Sequence, residues 1–352
     1  MRRILFSGYY GLGNAGDEAV LAASVGMLRG RRPDLTLEAL SGDPAGTRHA
    51  LGIEAAPRMS PAALAAVRRC SLFLSGGGSL LQDRTSLKSL IYYLFLIRLA
   101  KLWGKRTMVF AQGIGPLVRP AARRWTAETL SRVDAITVRD ADSAELLQEI
   151  GVRGPSVEVT ADPVFALEPQ VTERVTAAAL HRPVIAVSLR PWEGVERILD
   201  PLATALGRFE GEVALHAWPL YGAEDLPVCE ALASRLPSMQ VMRETLSPGE
   251  WMALAGWTDA VVAMRLHALI FAAARSVPVA GISYDPKVDA LLGRLRAPKV
   301  GTAGQLDPDH LRRVLEAYLE EDERRRQDRE ARAEHLRAQA VRNADRALEL
   351  LR

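Results

Sequence analysis

The sequence predicts an α/β fold with two domains, each built on a mostly parallel sheet. Short apolar segments alternate with longer amphipathic segments along the whole chain. Strands that are apolar on both faces, with a helix between each pair, are typical of parallel βαβ units. The chain has 352 residues, enough for two domains at roughly 150 residues each. Two such halves make a cleft between domains the natural place for a ligand.

The first half of the chain has six predicted strands and five predicted helices, found from the periodicity of apolar residues. The strands are Arg3–Ser7, Leu35–Leu40, Leu72–Ser75, Thr107–Ala111, Ala135–Val138 and Val157–Thr160. The helices are Asp17–Arg29, Ala62–Val67, Ser86–Trp103, Ala121–Arg132 and Asp142–Ile150. This order of elements predicts a parallel sheet with helices on both faces.

A proline-containing polar segment at residues 165–183 separates the halves, and we interpret it as a linker. The pattern then resumes with predicted strands at Val184–Leu189, Val213–Ala217, Val241–Met242, Ala260–Ala263, Val279–Ile282 and Lys299–Val300. We therefore predict domains at residues 1–168 and 183–310. Residues 311–352 form a charged helical tail, for which a solvated helix with one apolar stripe is favoured over an interaction helix.

Composition and charge narrow the function classes. The chain is 48% hydrophobic and 25% charged, as in globular proteins, which excludes disordered and collagenous classes. A formal charge of +3 is too small to indicate a nucleic-acid partner. Cys70 and Cys229 belong to no ligand pattern, so we expect no disulfide framework and no metal site. We expect a cytoplasmic location, because the N-terminal apolar run is too short for a signal peptide.

The first glycine loop follows the first strand and opens the first helix. Its candidate binding residues are Gly11, Gly13, Asn14 and Asp17. It is not a dinucleotide fingerprint, because Gly16 is followed by two acids that would repel a pyrophosphate. Such acids suit helix capping or hydrogen bonds to sugar hydroxyls. A structural turn and a substrate loop remain equally favoured.

Two further loops end predicted strands of the same domain. One contains the candidates Gly76, Gly77, Gly78, Gln82 and Asp83, and the other contains Gln112. Three consecutive glycines are costly in backbone entropy, so another group must approach that backbone closely. We favour a ligand over a close helix–strand crossing. Loops at the carboxyl ends of parallel strands in one domain line one crevice.

Cationic residues and one histidine follow strands in both halves. Arg265 and His267 lie two residues apart and address one space if the segment is extended. Lys287 lies at a helix start, and Arg139 lies just beyond the fifth strand. A cation near a helix N-terminus is unfavourable, because that end of the macrodipole is positive. We therefore expect Arg139 and Lys287 to bind a ligand and not to stabilise their own helices. The alternatives are a buried Arg265 paired with an acid, a helix-capping His267, and surface salt bridges. Together these residues indicate a small polyanion site with one proton-transfer group.

The sequence resembles the polysaccharide pyruvyl transferase family, particularly its CsaB type. The matching segments are Gly8–Leu21, Ser75–Asp83, Gln112–Pro116, Val138–Ser143, Thr160–Phe165, Met264–Ala272 and Ile282–Lys287. The resemblance implies two Rossmann-like domains in a glycosyltransferase-B-like arrangement with an interdomain cleft. It further implies transfer of pyruvate from phosphoenolpyruvate to a sugar as a cyclic ketal, with release of phosphate.

For the CsaB type, the resemblance implies an N-acetylmannosamine acceptor in a lipid-diphosphate-linked cell-wall polysaccharide precursor, and thereby S-layer anchoring. It implies that Arg139, His267 and Lys287 are the essential residues. Arg265 joins Arg139 and Lys287 as a candidate ligand of phosphoenolpyruvate, and His267 is the candidate acid/base. The first-domain loops would hold the acceptor, and no cofactor is implied.

Two other functions stay open. A nucleotide-sugar glycosyltransferase would place a ribose-binding acid in the second domain, where this sequence has cations. A non-enzymatic glycan-binding module would need no such anion site. One helix, residues 87–103, is apolar and flanked by basic residues, as in helices that lie on the inner face of a membrane. A core helix packed on the sheet is favoured there over lipid contact.

Overall fold

The computed structural model describes residues 2–84, 86–178 and 183–352, and the chain divides into two compact units. The first unit comprises Met1–Ala166 and Leu336–Arg352, and the second comprises Leu167–His335. The change of unit falls within the segment interpreted as a linker. Residues 179–182 of that segment lie outside the described residues. The predicted tail is shared between the units, because its last seventeen residues pack with the first.

The first unit contains a parallel seven-stranded sheet with the order β3-β2-β1-β4-β5-β6-β7. Its strands are β1 (Arg3–Tyr10), β2 (Thr36–Ser41), β3 (Glu54–Pro57), β4 (Leu72–Gly76), β5 (Arg106–Gln112), β6 (Ala135–Val138) and β7 (Val157–Val159). Its first six helices are α1 (Ala15–Arg31), α2 (Pro44–Leu51), α3 (Pro61–Arg69), α4 (Leu87–Leu102), α5 (Pro120–Leu130) and α6 (Ala141–Glu149). A 3₁₀ turn at Pro163–Ala166 ends the segment.

The second unit contains a seven-stranded sheet with the order β10-β9-β8-β11-β12-β13-β14. Its strands are β8 (Val184–Ser188), β9 (Ala214–Ala217), β10 (Gln240–Val241), β11 (Ala260–Ala263), β12 (Val279–Ser283), β13 (Lys299–Thr302) and β14 (Gln305–Leu306). Its helices are α7 (Glu173–Ala178), α8 (Glu196–Leu206), α9 (Gly222–Ala233), α10 (Pro248–Ala255), α11 (Leu266–Ala274), α12 (Pro286–Leu295) and α13 (Pro308–Leu319). A 3₁₀ turn lies at Gly207–Phe209.

The last helix, α14 (Glu323–Glu349), has residues in both units. In the first unit its apolar side joins the core formed by α1 and one face of the sheet. Asn343 is fully buried there; its amide nitrogen donates to the carbonyl of Ala161 at 3.0 Å, and its amide oxygen accepts from the hydroxyl of Thr160 at 2.8 Å. A buried amide with these partners is satisfied, and it fixes the helix against the end of β7.

The predicted elements are present, and the structure adds four that the sequence reasoning missed. Helix α7 has six residues and lies within the segment interpreted as a linker. Strand β3 is rich in alanine and helix α2 is short, so each lacks a strong periodic signal. Strand β14 has two residues and pairs antiparallel to β13, so the second sheet is not wholly parallel. The N-cap of α1 is Asn14, whose side chain accepts a hydrogen bond from the amide of Gly16. Helix capping was one of the two roles predicted for the acids that follow Gly16, and Asn14 performs it instead.

Candidate functional site

Strand order reverses beside β1 in the first sheet and beside β8 in the second. Such switch points leave a crevice at the carboxyl ends of the strands, which is where open α/β sheets bind ligands. In the first unit, the loops that follow β1, β4, β5 and β6 begin at this edge of the sheet. In the second unit, the loops that follow β8, β11 and β12 begin at the corresponding edge. Each crevice therefore has its own set of side chains.

The loop after β1 is held by its own helix. The carboxylate of Glu18 accepts from the amides of Gly11 and Leu12 at 2.7 and 3.2 Å. Burial raises the pKa of Glu18, while these backbone hydrogen bonds lower it in part. Because a carboxylate already occupies these amides, the loop does not offer them to a phosphate. Gly13 has a φ of +78° and open space beside it, so this end of the loop is accessible.

The three consecutive glycines at the end of β4 have protein atoms packed closely against their backbone. A Cβ on Gly76 would lie 2.7 Å from the carbonyl oxygen of Phe110, and one on Gly77 would lie 2.6 Å from the hydroxyl of Tyr10. One on Gly78 would lie 2.6 Å from a carboxylate oxygen of Asp17. Packing against β1, β5 and α1 is sufficient to require glycine here, so these glycines do not by themselves indicate a ligand, and their role toward an acceptor stays a prediction.

Two other predicted acceptor residues are buried. Asp83 is 1% exposed and accepts from the amides of Val118 and Arg119 at 2.6 and 2.9 Å, so its carboxylate fixes the loop before α5. Gln112 is fully buried, and its amide nitrogen donates to Ser75 at 3.2 Å. Its amide oxygen is buried and has no hydrogen-bond partner among the described residues. Gln82 is half-buried on the same loop as Asp83.

Arg139 is 6% exposed and lies among polar groups of the first unit. Its guanidinium donates to Asp162 at 3.0 Å and to the hydroxyl of Ser79 at 2.9 Å, and it lies 3.7 Å from Asp140. The sequence argument from the helix macrodipole therefore omitted the carboxylates that neutralise this cation. Arg139 joins the loops after β4, β6 and β7, and its role toward a substrate stays a prediction.

In the second unit, Arg265 forms a buried ion pair, which was one of the alternatives predicted for it. Its Nε donates to one carboxylate oxygen of Asp225 at 2.8 Å, and its Nη2 donates to the other, so the pair is bidentate. The Asp225 side chain is fully buried. Helix α11 begins at Leu266, with Arg265 as its N-cap. His267 therefore lies in the first turn and is not the cap, and the extended-segment argument for Arg265 and His267 was wrong. His267 is half-buried.

The loop after β8 supplies Arg190, which the sequence reasoning missed. Its Nη1 donates to the Tyr284 hydroxyl at 3.1 Å, and its guanidinium lies 4.8 and 5.0 Å from the ring centres of Tyr284 and Trp192. Its Nε is buried without a hydrogen-bond partner among the described residues. The signal was present, because Arg190 follows strand β8 as Arg139 follows β6.

Tyr284 lies at the centre of this cluster. The Nζ of Lys287 is 5.4 Å from its ring centre and 3.8 Å from the carboxylate of Asp285. Burial by itself raises the pKa of Tyr284, but Lys287, Arg190 and Arg265 outweigh it and hold the pKa below its ordinary value. We call Arg190, Arg265, Tyr284 and Lys287 the cationic cluster. It lies at the carboxyl ends of three adjacent strands, β8, β11 and β12.

Neither free cysteine has the properties of a nucleophile. Cys70 and Cys229 are buried, and burial raises their pKa values to about 11 and about 12. Among the described residues, no group of three His, Cys, Asp or Glu side chains is placed to hold a metal ion. Across residues 2–84, 86–178 and 183–352, no helix has both the length and the hydropathy to cross a membrane.

Comparison with known proteins gives a family match and a set of structural likenesses. The model of the family described as polysaccharide pyruvyl transferase matches residues 14–286. A comparison with curated proteins returned no match. The structure resembles a UDP-GlcNAc 2-epimerase from Neisseria meningitidis bound to UDP-GlcNAc, with 12% identity, coverage of 100% of this chain and 99% of that chain, and a TM-score of 0.66.

Two further solved structures are similar. One is a glycosyltransferase from Rickettsia africae, with 9% identity, coverage of 100% and 99%, and a TM-score of 0.64. The other is a UDP-GlcNAc 2-epimerase from Methanocaldococcus jannaschii, with 11% identity, coverage of 92% and 94%, and a TM-score of 0.64. At these identities the likeness shows the fold alone, which is the predicted two-domain, glycosyltransferase-B-like α/β fold.

Proposed function

Because this chain belongs to the polysaccharide pyruvyl transferase family, we propose that it transfers pyruvate from phosphoenolpyruvate to a sugar. The methylene carbon of phosphoenolpyruvate takes a proton and becomes a methyl group. Two sugar hydroxyls form bonds to the neighbouring carbon, the bond from that carbon to the phosphate oxygen breaks, and phosphate leaves with the second proton. The product is a cyclic ketal, and the reaction as written needs no redox cofactor or metal.

The cationic cluster is the observation that carries this proposal. Phosphoenolpyruvate has a phosphate and a carboxylate, so it needs several fixed cations in a site with little water. Arg190 and Lys287 lie 4.8 and 5.4 Å from the centre of one tyrosine ring, and Arg190 retains a buried N–H without an acceptor among the described residues. Arg265 contributes less to a ligand, because Asp225 balances its charge. The cluster thus has an excess of positive charge that a small polyanion neutralises.

We assign the proton transfer to His267, in the first turn of the helix that Arg265 caps. A bound anion stabilises the protonated form of an imidazole beside it, and that form can donate a proton. Protonated His267 then donates to the methylene carbon as the first hydroxyl attacks. This assignment agrees with the family resemblance, which makes Arg139, His267 and Lys287 the essential residues.

We assign the acceptor sugar to the crevice of the first unit. Its side chains include Asp17, Asp140 and Asp162, and Arg139 offsets part of that charge. Carboxylates and amide oxygens accept hydrogen bonds from sugar hydroxyls. Gly13 leaves open space at the edge of this crevice. For the CsaB type the acceptor is N-acetylmannosamine on a lipid diphosphate, processed in the cytoplasm for S-layer anchoring.

The test is a reaction of the full chain with phosphoenolpyruvate and a lipid-linked acceptor containing N-acetylmannosamine. We expect phosphate release together with a product whose mass has increased by one pyruvate ketal. His267→Gln is the matched control, because glutamine keeps a hydrogen-bond donor and a similar size but has no titrating nitrogen. Phosphate release without a change in acceptor mass would refute transfer. The absence of both, with intact binding of the glycan, would favour a non-enzymatic glycan-binding module.

A nucleotide-sugar glycosyltransferase is the second candidate, because one structure of similar fold is a glycosyltransferase and another is an epimerase bound to UDP-GlcNAc. It predicts release of nucleotide from a UDP-sugar in the presence of an acceptor. In a parallel assay with UDP-N-acetylglucosamine, we expect no release. Nucleotide release at a rate above that of phosphate release would replace the proposed function with this one.

A further inference from the structure

Helix α4 is apolar on both of its sides, although only one side packs on the sheet. Its inner side, including Leu90, Tyr93 and Ile97, is buried in the core of the first unit. On its outer side, Ile91, Phe95 and Leu102 are 45, 51 and 80% exposed. Their spacing of four and seven residues places them in one stripe along the helix. The sequence favoured a core helix over lipid contact, and the structure shows a core helix with a second, solvent-exposed apolar side.

Apolar residues beside the stripe extend it into a surface. Helix α3 packs against α4 and exposes Leu64, and Trp103 is 37% exposed where α4 ends. We call Leu64, Ile91, Phe95, Leu102 and Trp103 the α4 face. Single exposed apolar residues are normal, but several on adjacent helices mark an interaction surface.

The α4 face has a basic rim. Residues 58–69 and 84–106, which carry this face, contain nine Lys and Arg residues and no Asp or Glu, in a chain whose overall formal charge is only +3. Four of these cations pair with acids outside the two segments: Lys101 and Arg106 with Asp134, Arg98 with Glu128, and Arg69 with Glu38. Arg68 and Lys88 are exposed and make no ion pair with the described residues. Lys88 precedes Ile91 by one helical turn, so it lies along the apolar stripe.

We propose that the α4 face docks onto the surface of an anionic phospholipid bilayer. The apolar stripe enters the boundary between headgroups and acyl chains, and the basic rim contacts the phosphates. Charge decides between this occupant and a second copy of the chain, because two identical basic rims would face each other. This inference goes beyond the proposed function and rests on the surface alone, so the failure of one leaves the other standing.

The experiment measures flotation of the full chain with vesicles of phosphatidylcholine, with or without phosphatidylglycerol. We expect the chain to float with the anionic vesicles and to bind the neutral ones much more weakly. The double variant Phe95→Ser/Leu102→Ser should bind anionic vesicles at least about tenfold more weakly, which corresponds to about 1.4 kcal/mol. Lys88→Glu should weaken the same binding by about fivefold or more, because each basic residue near such a surface contributes measurably.

Val171→Ser is the matched control, because Val171 is 60% exposed and belongs to the second unit. It should bind as the unchanged chain does. The substituted side chains face solvent, so circular dichroism should show no loss of fold, and Lys88→Glu tests the proposal independently of the apolar changes. Equal flotation of the double variant and the unchanged chain would overturn the proposal. A dimer in light scattering that the double variant abolishes, without binding to vesicles, would overturn it in favour of self-association.

Discussion

Tyr10 and Tyr284 occupy comparable places in the two units, and their ionisation differs in direction. Tyr10 ends β1, and its hydroxyl donates to the carbonyl of Gly76 at 2.5 Å. Burial raises its pKa well above the ordinary value, and Asp17 and Glu18 raise it further. Tyr284 follows β12, and there Lys287 and Arg190 outweigh burial and lower the pKa. The charged groups around Tyr10 are therefore mainly negative, and those around Tyr284 are mainly positive.

The difference teaches that similar strand order does not produce similar binding chemistry. In the first unit, the cation Arg139 is matched by carboxylates of its own unit. In the second, Asp225 balances Arg265 and Asp285 lies 3.8 Å from Lys287, so the excess of positive charge comes from Arg190. A hydroxyl-rich ligand suits the first environment, and a polyanion suits the second. The side chains at strand ends decide this, not the sheet that carries them.

The largest expected effect separates chemistry from binding within the second unit. His267→Gln removes the titrating nitrogen and keeps a hydrogen-bond donor, so turnover should fall by roughly 10²–10⁴ with a much smaller change in phosphoenolpyruvate binding. Steady-state phosphate release measures both. The pH–rate profile should lose one limb in the variant. A variant with normal turnover and lower thermal stability would make His267 a structural residue.

Both units contain a buried ion pair, and loss of its carboxylate should destabilise the chain in either unit. The two units should therefore differ mainly in ligand binding. Asp225→Asn leaves Arg265 buried without its counter-charge and should lower the free energy of unfolding by about 3–5 kcal/mol, as measured by urea denaturation. Asp162→Asn removes the nearer of two carboxylates beside Arg139 and should lower it less, because Asp140 remains 3.7 Å away. Asp200→Asn removes an exposed partner of Arg235 and should change little. A neutral effect of Asp225→Asn would show that this carboxylate does not hold Arg265.

Loss of single cations should distinguish the crevices. Arg190→Ala should raise the KM for phosphoenolpyruvate more than tenfold, because a charge-assisted contact typically contributes about 1.5–3 kcal/mol. Its melting temperature should change little. Arg139→Ala should lower both stability and activity, since it also unties Asp162 and Ser79. Equal increases in KM with unchanged melting temperatures in both variants would show that Arg139 and Arg190 have the same role, and would contradict the difference between the units.

The smallest effect concerns Tyr284 itself. Its depressed pKa means that the folded state favours the phenolate, so its contribution is present above the unfolded pKa of about 10 and is lost as the pH falls through the folded value. The unfolding free energy of the unchanged chain should therefore rise, relative to Tyr284→Phe, as the pH approaches 10 from below. Absorbance titration should show one tyrosine that ionises early and is missing in the variant. No such tyrosine would refute the cationic surroundings.

Much of the fold was predictable because buried parallel strands and their helices have strong apolar periodicity. The short elements β3, α2, α7 and β14 were missed because apolar periodicity is recognisable only over longer segments. The site was harder, since a partner far along the chain decides what a charged residue does. Asp225 is 40 residues from Arg265, and Asp162 is 23 residues from Arg139. Arg190 was missed although it obeys the strand-end rule that identified Arg139 and Lys287.

The central claim is that the cationic cluster of the second unit binds phosphoenolpyruvate. Trp192 provides a direct measurement, because its ring lies 4.8 Å from that of Tyr284 and 5.0 Å from the guanidinium of Arg190. Titration of the full chain with phosphoenolpyruvate should give a saturable change in tryptophan fluorescence that is absent in Trp192→Phe. Arg190→Ala should shift its midpoint more than tenfold to higher concentration. Saturable binding of a UDP-sugar at this tryptophan, with no response to phosphoenolpyruvate, would contradict the claim.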